Sequence, residues 1–118
     1  MPPEPHDPVR RGQWLRGVLD LCLLALLDQA GESYGYELAQ ALEQAGMGEI
    51  QGGTIYPVLI RLERTGLVQT VWRAGDSGPA RKYYLLTDAG RHALDTTGTA
   101  WLIFADRVRK ILHRGGLR

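Results

Sequence analysis

A single cysteine, Cys22, leaves the chain without an internal disulfide, which fits a reducing compartment, and its place among leucines predicts a small buried hydrophobe. Long apolar runs are missing too. The longest, Leu21 to Leu27, is bracketed by Asp20 and Asp28 and falls far short of the roughly 20 residues that a membrane span requires. The amino-terminal stretch MPPEPHDPVRRGQ has no apolar segment after its charges, so no leader is read there and a cytoplasmic location is expected. His6, His92 and His113 have no ligand spacing with one another or with Cys22, which leaves no zinc or haem motif and no cofactor to expect. Ser-His-Asp, paired-carboxylate and phosphate-loop patterns are also absent, so Asp88 and Glu63 read as helix-surface acids and the chain does not read as an enzyme.

Positive charge is absent from one stretch. Residues 17–50 hold six acids (Asp20, Asp28, Glu32, Glu37, Glu43, Glu49) and no Lys or Arg, whereas residues 53–86 and 87–118 each carry a net +3 in a chain of formal net charge +1. A near-neutral total argues against indiscriminate coating by a polyanion, so any anionic partner must be met at a local site in the later segments. The 118 residues, 44% hydrophobic and 23% charged, suit one folded domain with one core.

Four prolines within residues 1–13 read as a flexible arm ending near Arg10 and Arg11. From Trp14 to Ala30, Leu15, Leu19, Cys22, Leu23, Leu26 and Leu27 recur at steps of three and four, which predicts an amphipathic helix ended by Gly31. Ser33 is the expected cap of a short second helix with Leu38, Ala39 and Leu42 inward. A third helix opens at GGTIYP with Thr54 as its cap, which would put Pro57 in the first turn. Its Ile55, Val58, Leu59 and Leu62 share one face; Thr54, Pro57, Arg61 and Arg64 share another. Val68 to Ala74 and Ala80 to Leu86, either side of GDSGP, read as a β-hairpin. Thr87 caps a last helix, in which Leu94, Trp101 and Val108 recur every seven residues and Thr97, Phe104 and Ile111 follow the same period.

The expected architecture is mainly α with a two-stranded β-wing: a winged helix-turn-helix over residues 14–86, then a carboxyl-terminal dimerisation helix over 87–114. A helix of the third kind fits the major groove of double-stranded DNA, with Thr54, Tyr56 and Arg61 placed to reach base edges. Arg73, Arg81 and Lys82 put three cations on the hairpin, suited to backbone or minor-groove contact. The heptad seam of Leu94, Trp101, Phe104, Val108 and Ile111, packed on the first helix at Leu19, predicts a homodimer. A protein-interaction module using the acidic stretch 17–50 is the competing reading of the same elements.

GGTIYPVLIRLERTGLV followed by ARKYYLLTDAG resembles the PadR family of transcriptional regulators, as do LRGVLDLCLLALL and SYGYELAQAL before them, in order over about residues 15 to 112. The resemblance implies a homodimeric repressor on a pseudo-palindromic operator, with Tyr34, Tyr36, Thr54 and Tyr56 on the DNA-reading surface and Arg81, Lys82 and Tyr83 on the wing. It also implies a multidrug or phenolic sensor as the alternative role, with a small aromatic effector held at the dimer interface near Trp14, Leu21, Trp101 and Phe104. In that role Trp101 stacks on a ligand; otherwise it fills the interface.

Overall fold

Asp7 opens the first helix, α1 (Pro8–Arg16), its carboxylate accepting the Val9 and Arg10 amides at 3.0 and 3.3 Å while Pro8 takes a position that needs no amide. The computed structural model describes residues 7–116. The arm expected over residues 1–13 therefore lies partly outside the described residues, and from Pro8 onward it is helix. The single helix expected from Trp14 to Ala30 is broken at Gly17 and Val18, where the backbone leaves helical geometry, and α2 runs Leu19–Ala30. Gly31 ends it at φ 82°, as expected.

Ser33 does not cap the next helix. It pairs with Tyr84 in a short strand, β1 (Ser33–Tyr34), and α3 (Gly35–Leu42) starts after Tyr34. The buried Ser33 hydroxyl instead donates to Glu37 at 3.0 Å. Residues Glu43–Met47 form a widened final turn, with Gly46 in left-handed conformation. The next helix, α4 (Gly52–Arg64), begins two residues before the predicted cap, which makes Thr54 its third residue. Pro57 thus sits in the second turn and removes one intrahelical bond; the Gly53 carbonyl left over is on the exposed side, where water serves it. The carboxyl end of α4 closes through the Gly66 amide to Glu63 (3.1 Å) and the Leu67 amide to Leu62 (2.9 Å), which brings Leu67 back onto the core.

The wing strands are β2 (Val68–Arg73) and β3 (Arg81–Leu86), joined through 74–80. With β1 they make a three-stranded antiparallel sheet in the order β1-β3-β2, one strand more than expected. Thr87 caps α5 (Asp88–Arg114), accepting the Gly90 amide at 3.0 Å, and its own hydroxyl donates to the Gly66 carbonyl. One core joins these parts: Leu15, Leu19, Leu23, Leu24, Leu27, Leu38, Leu42, Ile55, Leu59, Leu62, Val68 and Tyr84.

Helix α5 is the exception to this burial. Its 27 residues extend about 40 Å, and the only one of them that is buried is Gly90. The first turns pack on α2, where Arg91 pairs with Asp28 at 2.6 Å, and beyond Leu94 the helix leaves the domain. Trp101, Leu102, Ile103, Phe104, Val108, Ile111 and Leu112 are all exposed there.

Candidate nucleic-acid interface

Helix α4 presents Thr54, Tyr56, Pro57, Ile60, Arg61 and Arg64 outward, while Ile55, Leu59 and Leu62 hold it to the core. The sidedness follows from a strict helical period, since the inward residues recur at steps of four and three. Tyr56 is anchored as well as exposed. A Cβ on Gly35 would lie 2.6 Å from the Tyr56 hydroxyl, so the bare Cα of Gly35 is what lets the ring lie against the start of α3. The glycine between Tyr34 and Tyr36 therefore has a physical reason: it accepts the ring of the α4 tyrosine. Tyr36 is well exposed and accepts a hydrogen bond from Gln40 at 3.1 Å.

The wing cations are not one cluster. Trp72 is opposite Lys82 and Arg73 opposite Arg81, and alternation along a strand sends neighbours to opposite faces. One face carries Arg73 and Arg81 with Tyr83, joined by Tyr34 from β1. The two tyrosine rings meet edge to face at 5.2 Å, Arg81 lies 4.7 Å over Tyr34, and Arg73 lies 5.9 Å over Tyr83. Arg73 is also held in a two-point ion pair by Glu32, an acid that precedes β1. The other face turns Lys82 towards α4, where its ammonium donates to Glu63 at 3.0 Å and Thr70 donates to the second carboxylate oxygen at 2.9 Å. The three cations stand on the hairpin as expected but on two faces: Arg73, exposed over Tyr83, is paired with Glu32, Lys82 is paired with Glu63, and Arg81 lies over Tyr34 with no ion pair among the described residues.

Donation by Lys82, then by Thr70, lowers the Glu63 pKa below the ordinary glutamate value, and the Lys82 pKa is raised by the same contact. The Glu63 contribution to stability is therefore complete above the unfolded glutamate pKa and is lost as pH falls through the folded value. The Lys82 contribution is lost instead as pH rises through its raised folded value. Glu63→Gln is expected to lower the thermal midpoint at neutral pH and to flatten its decline on acidification. Parallel midpoint-against-pH curves for variant and wild type would exclude this pair as the link between wing and helix.

Between α4 and the wing runs a cleft lined by Tyr34, Tyr56, Ile60, Trp72, Arg81 and Lys82. Ile60 and Trp72 are more than half exposed. Neither stands out in the sequence; Ile60 is hidden by its place between two arginine-bearing turns, and Trp72 by the general expectation that a strand tryptophan packs inward.

The expected dimer and effector residues divide differently. Leu19 is 2% exposed within its own chain and has no surface left for a partner, so it is a core residue and not an interface residue. Leu94 is half-buried at the base of α5, whereas Trp101, Phe104, Val108 and Ile111 are exposed. Trp14 on α1 is exposed and Leu21 half-buried, and the clefts described for the single chain are lined by other residues. Among the described residues no helix is long and apolar enough to cross a membrane.

A family model described as the transcriptional regulator PadR-like family matches residues 23–96. A transcriptional regulator of Mycobacterium tuberculosis is 44% identical over 63 residues, covering 53% of this chain and 57% of that protein. The crystal structure of a PadR-like transcriptional regulator from Bacillus cereus superposes with a TM-score of 0.75 at 37% identity, covering 85% of this chain and 96% of that one. A PadR family regulator from Eggerthella lenta gives 0.75 at 36% identity, covering 85% and 86%.

Proposed function

We propose, from the premise that this chain belongs to the PadR-like family of transcriptional regulators, that it binds double-stranded DNA as a homodimer and represses transcription from an operator of two half-sites. The observation that carries the DNA reading is the exposed half of α4 together with the wing: Tyr56 on the flank beside the wing, next to Tyr34 with Arg81 laid over it, and Thr54 and Arg61 on the other flank. A helix of this size fits the major groove, where Thr54 and Tyr56 in its first turns meet base edges. Arg61 stands seven residues further along, about 10 Å down the axis, which brings its guanidinium to the groove margin and the phosphates. Tyr36 and Arg81 extend the same surface to either side.

The dimer reading rests on α5. Seven large apolar side chains standing exposed along its outer half are more than a solvated helix leaves uncovered, and Trp101, Phe104, Val108 and Ile111 follow the three-four spacing of a helix-helix seam. Two copies joined there would carry two α4 helices, which matches an operator of two half-sites about one helical turn apart.

The test is a salt titration. Purified protein should bind a duplex from its own upstream region more tightly than a scrambled duplex, with log affinity falling linearly against log salt as counterions are released. Arg61→Ala combined with Arg81→Ala is expected to weaken binding by about 100-fold or more at moderate salt and to make the slope shallower by about four, two phosphates no longer neutralised for each protomer of the dimer. Equal binding of operator and scrambled duplexes across the titration would remove the basis for the proposal.

A further inference from the structure

On the flank of α4 away from the wing, Thr54 and Arg61 also border a second basic surface that reaches to α1, an element the helix-and-wing reading does not use. The cleft between α1 and the amino end of α4 has a volume of about 360 Å³. Its floor is apolar, with Leu15 and Leu19 from the amino-terminal helices and Met47, Ile50 and Val58 facing them; its rim carries Arg11, Arg16 and Arg61, with Glu49 the one acid. Three guanidinium groups around a concave, low-dielectric surface repel one another and focus a positive potential into it. Such a cluster calls for an anion.

Arg11 is not there by the chance of a loose surface rotamer. Its guanidinium rests on Gly48, where a Cβ would lie 2.6 Å from Arg11 Cζ, and Gly48 has φ 80°, a conformation that side chains rarely adopt. The glycine that turns the chain into α4 is thus also the seat of an arginine from α1. Thr54 and Gln51 complete the rim from α4, so whatever enters the cleft lies beside the residues assigned to the groove. Helix α1 precedes the residues that the family model matches, so this cleft is assembled between that shared region and a segment outside it.

We infer that the cleft seats a backbone phosphodiester of the bound DNA, with Arg11 and Arg16 on one side and Arg61 on the other, which makes α1 a third DNA-contacting element beside α4 and the wing. This rests on the proposal that the protein binds DNA. Phosphodiester is the anion that fits, because the cleft opens along the flank of the helix that enters the groove, where the strand bordering that groove passes. A phosphate contact carries no base information, so α1 strengthens binding without choosing the sequence.

The experiment is the same titration on the full chain with Arg11→Ala and Arg16→Ala together, using operator and scrambled duplexes. Affinity for both is expected to fall by a similar factor, about 10-fold or more at moderate salt, with a slope shallower by about two, one phosphate for each protomer of the dimer. Arg11→Lys with Arg16→Lys should restore most of the slope, since a phosphate is met by charge of either kind. Far-ultraviolet circular dichroism and sedimentation must match wild type, and both arginines lie outside the core, which allows it. An unchanged affinity and slope in the alanine variant would overturn the inference while leaving DNA binding by the wild type intact. Loss confined to the operator, with the slope unchanged, would also overturn it, because the arginines would then act on sequence reading. Failure of the wild type to bind either duplex would instead sink the DNA reading itself.

Discussion

Phe104→Asp is expected to convert the protein to a monomer and to lower operator affinity by two orders of magnitude or more. Phe104 is 60% exposed in the single chain, so the substitution costs the monomer fold little. Its effect is confined to whatever covers the outer half of α5. Burying a phenylalanine side chain contributes roughly 1.5 to 3 kcal/mol, and placing a carboxylate in the same apolar seam adds a desolvation cost of similar size. A two-fold axis applies both twice. The sum is on the order of 6 kcal/mol per dimer, or about 10⁴-fold in the dimer dissociation constant. Two half-sites engaged by one dimer gain about 10²-fold or more in affinity over one, and the monomer forfeits that gain. Sedimentation velocity at micromolar concentration, with circular dichroism as the fold control, reads the first effect; a variant that sediments with wild type would place the α5 seam outside the interface.

Gly90→Ala should destabilise the protein by roughly 3 kcal/mol, a sign opposite to the one helix propensity dictates. Gly90 is the third residue of α5 and is buried. On propensity alone, alanine at a helical position gains about 1 kcal/mol over glycine. Here the added Cβ would overlap the Leu67 carbonyl oxygen, which already accepts the Thr87 amide at 3.2 Å. A backbone carbonyl cannot swing aside as a side chain can, so α5 must lift from the end of α4, straining the Thr87 cap and the packing on α2. Overpacking usually costs about 1 to 3 kcal/mol; against a backbone carbonyl it should exceed that range, at about 4 kcal/mol, which leaves a net loss of about 3 after the propensity gain. For a domain of this size the thermal midpoint should drop by about 10 °C. A midpoint that rises would show that the start of α5 stands off from Leu67.

Much of this architecture is legible in local pattern. The steps of three and four through α2 and α4, the turn chemistry of GDSGP and the Thr87 cap each reflect a rule that operates within a few residues, and each element lies close to where those rules put it. Local signals fail where a distant partner overrides them. Ser33 is a good helix cap by type, but pairing with Tyr84 across the sheet draws it into β1. Thr54 loses the cap position because the Gln51 carbonyl accepts the Thr54 and Ile55 amides and starts the helix earlier. Leu19 has the spacing of either a core or an interface leucine, and only its enclosure by the other helices decides between them.

The wing divides along the same line. Its alternation, its aromatic content and its arginines are properties of the chain, legible in ARKYY without coordinates. Which cations stay available is not, because that depends on acids far away in sequence: Glu32 reaches Arg73 across 41 residues and Glu63 reaches Lys82 across 19. Periodicity and capping act over one or two turns, so the set of elements, their order and the apolar seam of α5 are written into the chain itself. The charge left exposed on the wing and the basic cleft between α1 and α4 are not. Coulombic pairing and cavity shape depend on distances through space, and residues such as Arg11 and Gly48 acquire a joint meaning only once the chain has folded them together.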